Sequence, residues 1–292
     1  MSEQKPLVFA FIGGMQAKPS AFASMKEAFE KAGLTCTEDT PLCYHEEDVD
    51  TNNPPSGLGK TGLLDYADDL EQKLRVLENT PLVLVGWSMG GLIASIVATR
   101  LPNVVGMILL APAPSRGNRV VFKTSVQKCF RSAVWVKRRV WKIPFVFPRW
   151  GFWYKPNKAT FEEFCYGMVP LAEPARQQEL YQYVPYESGR AGAEIAFWWW
   201  PSFWRRKPSH VDMASMNFPI LIVQGDQDNI VPIDITQTEE EKFRRHGCTV
   251  TYYQLPGQDH WLVDKSDVHE LCLFWIKKSI VADQSSESVL TR

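Results

Sequence analysis

Five short apolar runs, spread along the length of the sequence, leave this 292-residue chain few ways to fold. Longer stretches with helical spacing separate the runs, and such alternation is typical of βαβ units. Runs that are apolar at every position indicate strands that are buried on both faces of a sheet. We therefore predict an α/β fold with a mostly parallel sheet flanked by helices. The five runs are Leu7–Ile12, Pro81–Trp87, Val105–Ala111, Pro219–Val223 and Thr249–Leu255.

Two helices are predicted between the first two runs. Ser24 and Glu27 have the spacing of a capping box, and Gly33 would end the helix that they open. The second helix has apolar residues three and four positions apart, which gives it the single apolar stripe of a helix that covers a sheet. That stripe consists of Leu63, Tyr66, Leu70, Leu74 and Leu77.

An inserted unit is predicted at 113–215, because the strand pattern stops near Pro114 and resumes only at Pro219. Eight of the eleven tryptophans lie in this unit, so aromatic side chains are concentrated there. Its first part has apolar residues spaced alternately by four and three, which predicts a helix that ends at Ile143-Pro144. The stripe of this helix would be Phe122, Val126, Cys129, Ala133, Val136 and Val140.

Composition excludes several classes of protein. The formal net charge of −1 argues against a nucleic-acid-binding chain, and no apolar stretch reaches the roughly 20 residues that cross a bilayer. The run Leu7–Ile12 is short and leads into Gly13-Gly14, so we interpret it as a strand and not as a signal peptide. The six cysteines form no CxxC pair, which predicts reduced thiols in the cytoplasm and no zinc site.

The near-neutral total charge conceals a strongly basic segment within the inserted unit. Between 116 and 158 there are twelve basic residues and no Asp or Glu, so the rest of the chain carries −13. Three interpretations remain open: a solvated basic face, a lid that binds an anionic lipid surface, and a docking site for an acyl carrier protein. The basic residues are Arg116, Arg119, Lys123, Lys128, Arg131, Lys137, Arg138, Arg139, Lys142, Arg149, Lys155 and Lys158.

The sequence Gly86-Trp-Ser-Met-Gly90 carries the clearest chemical signal. It follows an apolar run and precedes a good helix pattern, so its two glycines allow a sharp turn from strand to helix that exposes the hydroxyl of Ser88. A serine hydroxyl is a weak nucleophile, and it needs a neutral imidazole as base and an acid that orients the imidazole.

Candidates for both partners follow later strands. Asp226 and Asp228 come directly after the run that begins at Pro219, where open α/β sheets build their sites. His260 lies in a loop after the last run. His45, His210, His246 and His269 have no comparable context, and surface or packing roles are expected for them.

The order of serine, acid and histidine, each just past a strand, resembles the α/β-hydrolase superfamily over 1–112 and 216–292. The resemblance implies an α/β-hydrolase fold with a helical cap inserted after the sixth core strand. It divides the chain into a hydrolase core (1–112 and 216–282), a Trp-rich basic helical cap (113–215) and a polar tail (283–292). The segment Gly86–Ser95 is also similar to that of pimeloyl carrier-protein methyl ester esterases, which are cap-bearing members of the superfamily.

The resemblance also implies roles for individual residues. Ser88 corresponds to the nucleophile, the GxxD pattern that starts at Gly225 selects Asp228 as the acid, and the Gly-x-x-His loop selects His260 as the base. The family takes one oxyanion donor from the residue after the nucleophile, which here is the N–H of Met89. The second donor is assigned by position to Met15, with Gly14 as the alternative, because Gly13 stands where the family has a histidine.

The predicted reaction is hydrolysis of a carboxylic ester or thioester through an acyl-enzyme on Ser88. A serine at this position argues against dehalogenase and epoxide hydrolase members, which use Asp. Carbon–carbon bond hydrolases and acyltransferases keep the same three residues, and a non-catalytic ligand-binding protein could keep the fold, so these alternatives stay open. The aromatic residues of the inserted unit favour a substrate with an apolar acyl or aromatic group. No metal or organic cofactor is expected.

Overall fold

A six-stranded parallel sheet forms the centre of the computed structural model, which describes residues 6–140, 143–200 and 205–281. The strand order is β2-β1-β3-β4-β7-β8, and every neighbouring pair in this sheet is parallel. The strands are β1 (Val8–Ile12), β2 (Thr35–Cys36), β3 (Leu82–Trp87), β4 (Val104–Leu110), β5 (Trp135–Val140), β6 (Ile143–Pro148), β7 (Ile220–Gly225) and β8 (Val250–Leu255). All five strands predicted from apolar runs are present, and the α/β class is confirmed.

Ten α-helices surround the sheet in the described part of the chain. They are α1 (Ala23–Lys31), α2 (Leu63–Leu74), α3 (Met89–Ala98), α4 (Thr124–Cys129), α5 (Arg131–Val134), α6 (Phe161–Gly167), α7 (Pro174–Gln182), α8 (Gly189–Ala196), α9 (Ile233–Arg245) and α10 (Ser266–Ile276). Within the described ranges, no helix is both long and apolar enough to cross a membrane.

Alternate residues of the strands build two hydrophobic cores, one on each face of the sheet. In β1, Ala10 packs toward α2, α3 and α9, whereas Phe9 and Phe11 pack toward α1 and α10. The rings of Phe9 and Phe11 both contact Phe29 of α1, at centroid distances of 5.4 and 5.5 Å. Coverage on both faces explains why four of the five runs are apolar throughout. The fifth run forms β8, which lies at the edge of the sheet and contains Thr251 and Gln254.

The first two helices match their predictions in different degrees. Helix α2 has the expected stripe, and a short 3₁₀ turn, Arg75–Leu77, extends it to the last predicted position. Helix α1 exists, but the predicted capping box is wrong, because Phe22 is the N-cap residue and makes no side-chain capping bond. Gly33 follows this helix with a φ of 81°, a conformation that glycine adopts without strain.

Between β4 and β7 the chain forms α4 to α8 and an antiparallel hairpin, β5–β6. The predicted continuous helix is wrong beyond Val134, because the chain becomes extended at Trp135 and pairs with the segment that ends at Pro148. The spacing of apolar residues describes one segment at a time, so it does not reveal that this segment pairs with a second one. Proline is tolerated in β6 because a two-stranded hairpin consists only of edge strands.

The position of this inserted segment corrects one detail of the expected fold. Among the described residues, four strands and not six precede it along the chain. Its hairpin means that it is not purely helical. The division at 113 and 215 into core and cap stays a prediction. The predicted polar tail at 283–292 lies outside the described residues.

Candidate active site

Ser88 occupies a strained turn between β3 and α3. Its φ and ψ are 54° and −123°, a conformation that non-glycine residues adopt only where the surrounding structure enforces it. The glycines on both sides make the turn possible: a Cβ on Gly86 would lie 2.7 Å from the carbonyl oxygen of Gly90, and one on Gly90 would collide with the backbone of Ile12. The turn therefore has the geometry predicted from the Gly-x-Ser-x-Gly sequence.

Asp228 and His260 are brought together at the same edge of the sheet. Parallel pairing places the ends of β3, β7 and β8 at that edge, and these strands lead to Ser88, Asp228 and His260 respectively. His260 Nδ1 lies 2.7 Å from Asp228 Oδ2, and both side chains are fully buried. Of the two carboxylates left open by the sequence, Asp228 is the one that contacts the histidine.

The Asp228 carboxylate is held by several donors besides the imidazole. Its Oδ1 accepts the backbone N–H groups of Ile230 and Val231, each at 2.8 Å, and its Oδ2 accepts the side-chain amide of Gln224 at 3.0 Å. Asp226 is more exposed, and it accepts the N–H of Gly257 at 2.7 Å. Asp226 thus braces the loop that carries the histidine but does not touch the imidazole.

The bond to Asp228 determines what the imidazole can do. When the carboxylate accepts a proton from Nδ1, the neutral ring carries its lone pair on Nε2. That Nε2 is buried and has no hydrogen-bond partner among the described residues. The backbone oxygen of His260 accepts the indole N–H of Trp87 at 2.8 Å, so the histidine is anchored to the residue that precedes Ser88.

Met89 follows Ser88 directly, and the loop that contains Met15 approaches Ser88 closely at Gly14. Met89 is the first residue of α3, where a backbone N–H has no acceptor within the helix. Met15 lines the same cavity as Ser88. A Cβ on Gly14 would lie 2.8 Å from Ser88 Cβ, so only glycine allows this loop to approach the serine so closely.

A largely apolar cavity of about 370 Å³ opens beside Ser88 and Met15. Most of its wall comes from the segment between β4 and β7, including Phe130, Phe152 and Phe197. A second cleft, of about 440 Å³, is lined by Lys18, Glu30 and other charged residues near the end of β1 and does not include Ser88. The apolar cavity combines mostly hydrophobic walls with the hydroxyl-bearing Ser88, and small-molecule sites commonly combine apolar walls with a few polar groups.

Sequence reasoning missed a buried polar cluster around Glu187, which connects the inserted segment to the loop after β1. Glu187 Oε2 accepts the N–H of Gln16 at 3.1 Å and faces His45 Nε2 at 3.0 Å. Its Oε1 accepts the hydroxyl of Tyr66 at 2.8 Å and the N–H of Ser188 at 2.6 Å. Gln16 has a φ of 58°, so the carboxylate holds a strained residue directly after Met15.

The geometry and the pKa shifts indicate that this pair is ionised. The second ring nitrogen of His45 faces the backbone oxygen of Cys43 at 3.2 Å, so both nitrogens face acceptors and a charged imidazolium suits the position. Burial alone would lower the pKa of His45, but the Glu187 carboxylate outweighs it and the pKa is raised. Likewise, burial would raise the pKa of Glu187, and the charge on His45 outweighs it and lowers that pKa.

Glu187→Gln should reduce the free energy of unfolding by roughly 3–5 kcal/mol, because it leaves the buried charge of His45 without its partner. Urea unfolding followed by circular dichroism measures this loss. Glu179→Gln is the matched control: it removes an exposed carboxylate paired with Arg176, and a surface pair of this kind is worth at most about 1 kcal/mol. Equal losses in the two variants would contradict the assignment of a buried ion pair.

The remaining histidines have the surface and packing roles expected for them. His210 and His246 are exposed, and His269 is buried with its Nε2 at 2.9 Å from the backbone oxygen of Val263. In the described ranges, no group of three or more His, Cys, Asp or Glu side chains is arranged to hold a metal ion.

Comparison with known proteins identifies the fold. The family model described as the alpha/beta hydrolase family matches residues 40–271. The structure is similar to an extracellular alpha/beta-hydrolase from a Paenibacillus species, with 17% sequence identity, a TM-score of 0.63, and 94% of this chain and 100% of that chain covered.

Two further solved structures show the same fold. Polyneuridine aldehyde esterase is 14% identical with a TM-score of 0.61, and 94% of this chain and 100% of that chain are covered. Tomato methylketone synthase I is 13% identical with a TM-score of 0.62, and the coverage is 94% and 99%. No curated protein sequence matches the chain.

Proposed function

Because this chain belongs to the alpha/beta hydrolase family, we propose that it hydrolyses a carboxylic ester or thioester that has an apolar acyl or aromatic group. Ser88 acts as the nucleophile, His260 as the general base and acid, and Asp228 as the residue that orients His260. The observation that supports this proposal most is the bond of 2.7 Å between Asp228 and His260, at the sheet edge where Ser88 occupies a strained turn.

The reaction proceeds in two steps. In the first, Ser88 Oγ attacks the carbonyl carbon while Nε2 of His260 takes the hydroxyl proton. The tetrahedral intermediate collapses, His260 gives that proton to the leaving alcohol or thiol, and the acyl group stays on Ser88. In the second, His260 takes a proton from water, and the water oxygen attacks the carbonyl carbon of the acyl-enzyme. The new tetrahedral intermediate breaks its bond to Ser88 Oγ, and His260 returns the proton to that oxygen, which restores the enzyme and releases the carboxylic acid.

Each partner contributes through a contact described above. Asp228 keeps the Nδ1 proton in place and stabilises the imidazolium that forms during the attack. In this proposal the N–H groups of Met89 and Met15 donate to the negative oxygen of the tetrahedral intermediate, and such donors stabilise the transition state. Glu187 supports the second of these donors, because it holds the N–H of the following residue, Gln16.

The substrate class follows from the cavity. Its wall is mostly aliphatic and aromatic, and burial of an apolar chain there releases roughly 0.8 kcal/mol per methylene. The proposed oxyanion donors near Ser88 would bind the carbonyl oxygen of the ester. The rest of the cavity would hold the hydrocarbon part of the substrate. The cytoplasmic location inferred from the scattered cysteines stays a prediction.

We expect kcat/KM for p-nitrophenyl esters to rise as the acyl chain grows beyond acetyl, until the cavity is filled. Gly192→Leu tests this directly, since Gly192 lines the cavity and the nearest neighbour of an added Cβ is Met15 Cε at 3.4 Å. The variant should lower kcat/KM for the best long ester by about tenfold or more. Its activity on the acetyl ester is the internal control and should change little.

A fluorophosphonate probe separates this proposal from its alternatives. Labelling of Ser88 together with ester hydrolysis supports an esterase. Labelling without hydrolysis of any ester in the series would favour a carbon–carbon bond hydrolase or an acyltransferase. A folded protein that takes up no probe would favour a non-catalytic ligand-binding protein and would refute the proposal.

A further inference from the structure

Exposed apolar side chains are concentrated in the segment between β4 and β7. Eleven large apolar side chains are exposed in the described ranges, and eight of them lie between 113 and 215. Trp150 is 83% exposed and Phe122 is 64% exposed. Scattered apolar residues on a surface are ordinary, but a contiguous patch marks an interaction site.

Ring contacts connect the exposed rings of Phe122 and Trp150 through four half-buried aromatic side chains. Phe122 stacks on Trp199 at 5.5 Å, and Trp199 contacts Phe197 at 5.8 Å. The series continues with 5.9 Å from Phe197 to Phe152, 5.0 Å from Phe152 to Trp153 and 5.9 Å from Trp153 to Trp150. We call these six residues the aromatic face. It runs without a break from one strongly exposed ring to the other.

The aromatic face leads into the cavity beside Ser88. Phe152 and Phe197 belong to this face and also line the cavity. Trp135, which is 46% exposed, lines the cavity as well. A molecule that covered the aromatic face would therefore lie beside the cavity that Ser88 lines.

Basic side chains are interspersed with these rings. Arg116 lies over the ring of Trp198 at 5.5 Å, and Lys155 Nζ donates to the backbone oxygen of Trp150 at 3.0 Å. Arg205 and Arg206 are exposed shortly after the tryptophans at 198–200. Because 116–158 contains no acidic residue, any carboxylate that neutralises this segment must come from elsewhere, as Asp234 does for Lys123.

We propose that the aromatic face binds an anionic lipid surface and thereby places the Ser88 cavity beside that surface. Trp and Tyr suit the headgroup level of a bilayer, because their rings are apolar and carry a polar group. Neighbouring Lys and Arg side chains add attraction to anionic lipids. An acidic protein would satisfy the charges, but it would not by itself account for rings as exposed as those of Trp150 and Phe122.

The ester substrate would then enter the cavity from the lipid phase. This consequence depends on the proposed hydrolase function, whereas lipid binding can be measured without it. The binding experiment therefore uses the Ser88→Ala protein, which cannot form an acyl-enzyme.

Co-sedimentation of Ser88→Ala with lipid vesicles tests the proposal. One set of vesicles is pure phosphatidylcholine, and the other contains equal parts of phosphatidylcholine and phosphatidylserine. We expect binding to the mixed vesicles to be at least about tenfold tighter than to the neutral vesicles, and to weaken as salt rises. Equal binding to both, or binding to neither, would overturn the proposal.

Two pairs of variants locate the surface. Trp150→Ala should weaken binding to mixed vesicles by roughly tenfold, whereas Phe274→Ala, which removes a ring that is 60% exposed on α10, should leave it unchanged.

Lys155→Glu should weaken binding to mixed vesicles several-fold. Lys31→Glu on α1 changes the net charge by the same amount and should not weaken binding. The side chains of Trp150, Phe274, Lys31 and Lys155 are all exposed, and none of them belongs to the proposed catalytic residues. Lys155 Nζ bonds a backbone oxygen of its own turn, and Lys31 pairs with Glu27 on α1.

The outcomes distinguish the possible failures. A Trp150→Ala protein that binds vesicles as tightly as its parent would refute the assignment of the aromatic face. Binding of a purified acidic acyl carrier protein in place of mixed vesicles would refute the lipid partner and favour a protein partner. If the wild-type protein bound vesicles but hydrolysed no ester, the lipid-binding proposal would be supported and only the proposed function would be refuted.

Discussion

Ser88→Ala should reduce ester hydrolysis by about 10⁶-fold, and it should abolish labelling by a fluorophosphonate. The reason is that no other hydroxyl occupies the strained turn after β3, where Ser88 meets the cavity, the N–H of Met89 and the loop that contains Met15. The substitution removes one oxygen from a side chain that bonds no other group described here, so the free energy of unfolding should hardly change. Steady-state hydrolysis of p-nitrophenyl esters and mass spectrometry of the labelled protein measure the two effects.

Ser215→Ala is the control for this prediction. Ser215 is exposed, and its hydroxyl donates only to the backbone oxygen of Asp212 at 2.8 Å, so activity and labelling should match the wild type. Retention of more than a small fraction of activity in Ser88→Ala would show that another group performs the chemistry, and the proposed function would then be wrong.

Asp228→Asn should lower kcat by about 10⁴-fold with little change in KM. Asparagine has nearly the shape of aspartate, but its amide group can donate to His260 Nδ1, and this favours the tautomer whose proton lies on Nε2. That nitrogen can then no longer accept the proton of Ser88. The loss therefore affects chemistry and not substrate binding, and separate determination of kcat and KM tests the distinction.

Asp226→Asn provides a closely matched control two residues away. Asp226 Oδ1 accepts the N–H of Gly257, and an asparagine oxygen can keep that bond, so kcat should fall by less than about tenfold. If the two variants lost equal activity, the acid would not be assigned to Asp228. If the Asp228→Asn variant kept full activity, His260 would need another partner or another role.

The strands and the serine turn could be predicted from the sequence because their signals are local. Strands inside a parallel sheet are mostly apolar, and β1, β3, β4, β7 and β8 all lie within a residue or two of the bounds predicted from the apolar runs. Strand β2 has only two residues, Thr35 and Cys36, and such a short segment has no apolar run to detect. The family resemblance added the choice of Asp228, which residue spacing alone had left open.

The inserted segment was predicted less well for an equally physical reason. Apolar spacing describes one helix at a time, whereas the hairpin β5–β6 depends on two segments that pair with each other. The high aromatic content was visible, but the exposure of Trp150 and the burial of Phe164 follow from packing that the sequence does not display.

By itself, the sequence determined the α/β class, the five main strands, the strained serine turn and the candidates for acid and base, because each depends on a few neighbouring residues. The tertiary structure decided what depends on residues far apart in the chain. It chose Asp228 over Asp226 by contact, connected the aromatic rings of the inserted segment, and paired Glu187 with His45 across 142 positions. A buried charge is stable only when an opposite charge lies beside it, and Glu187 and His45 come together only when the chain has folded.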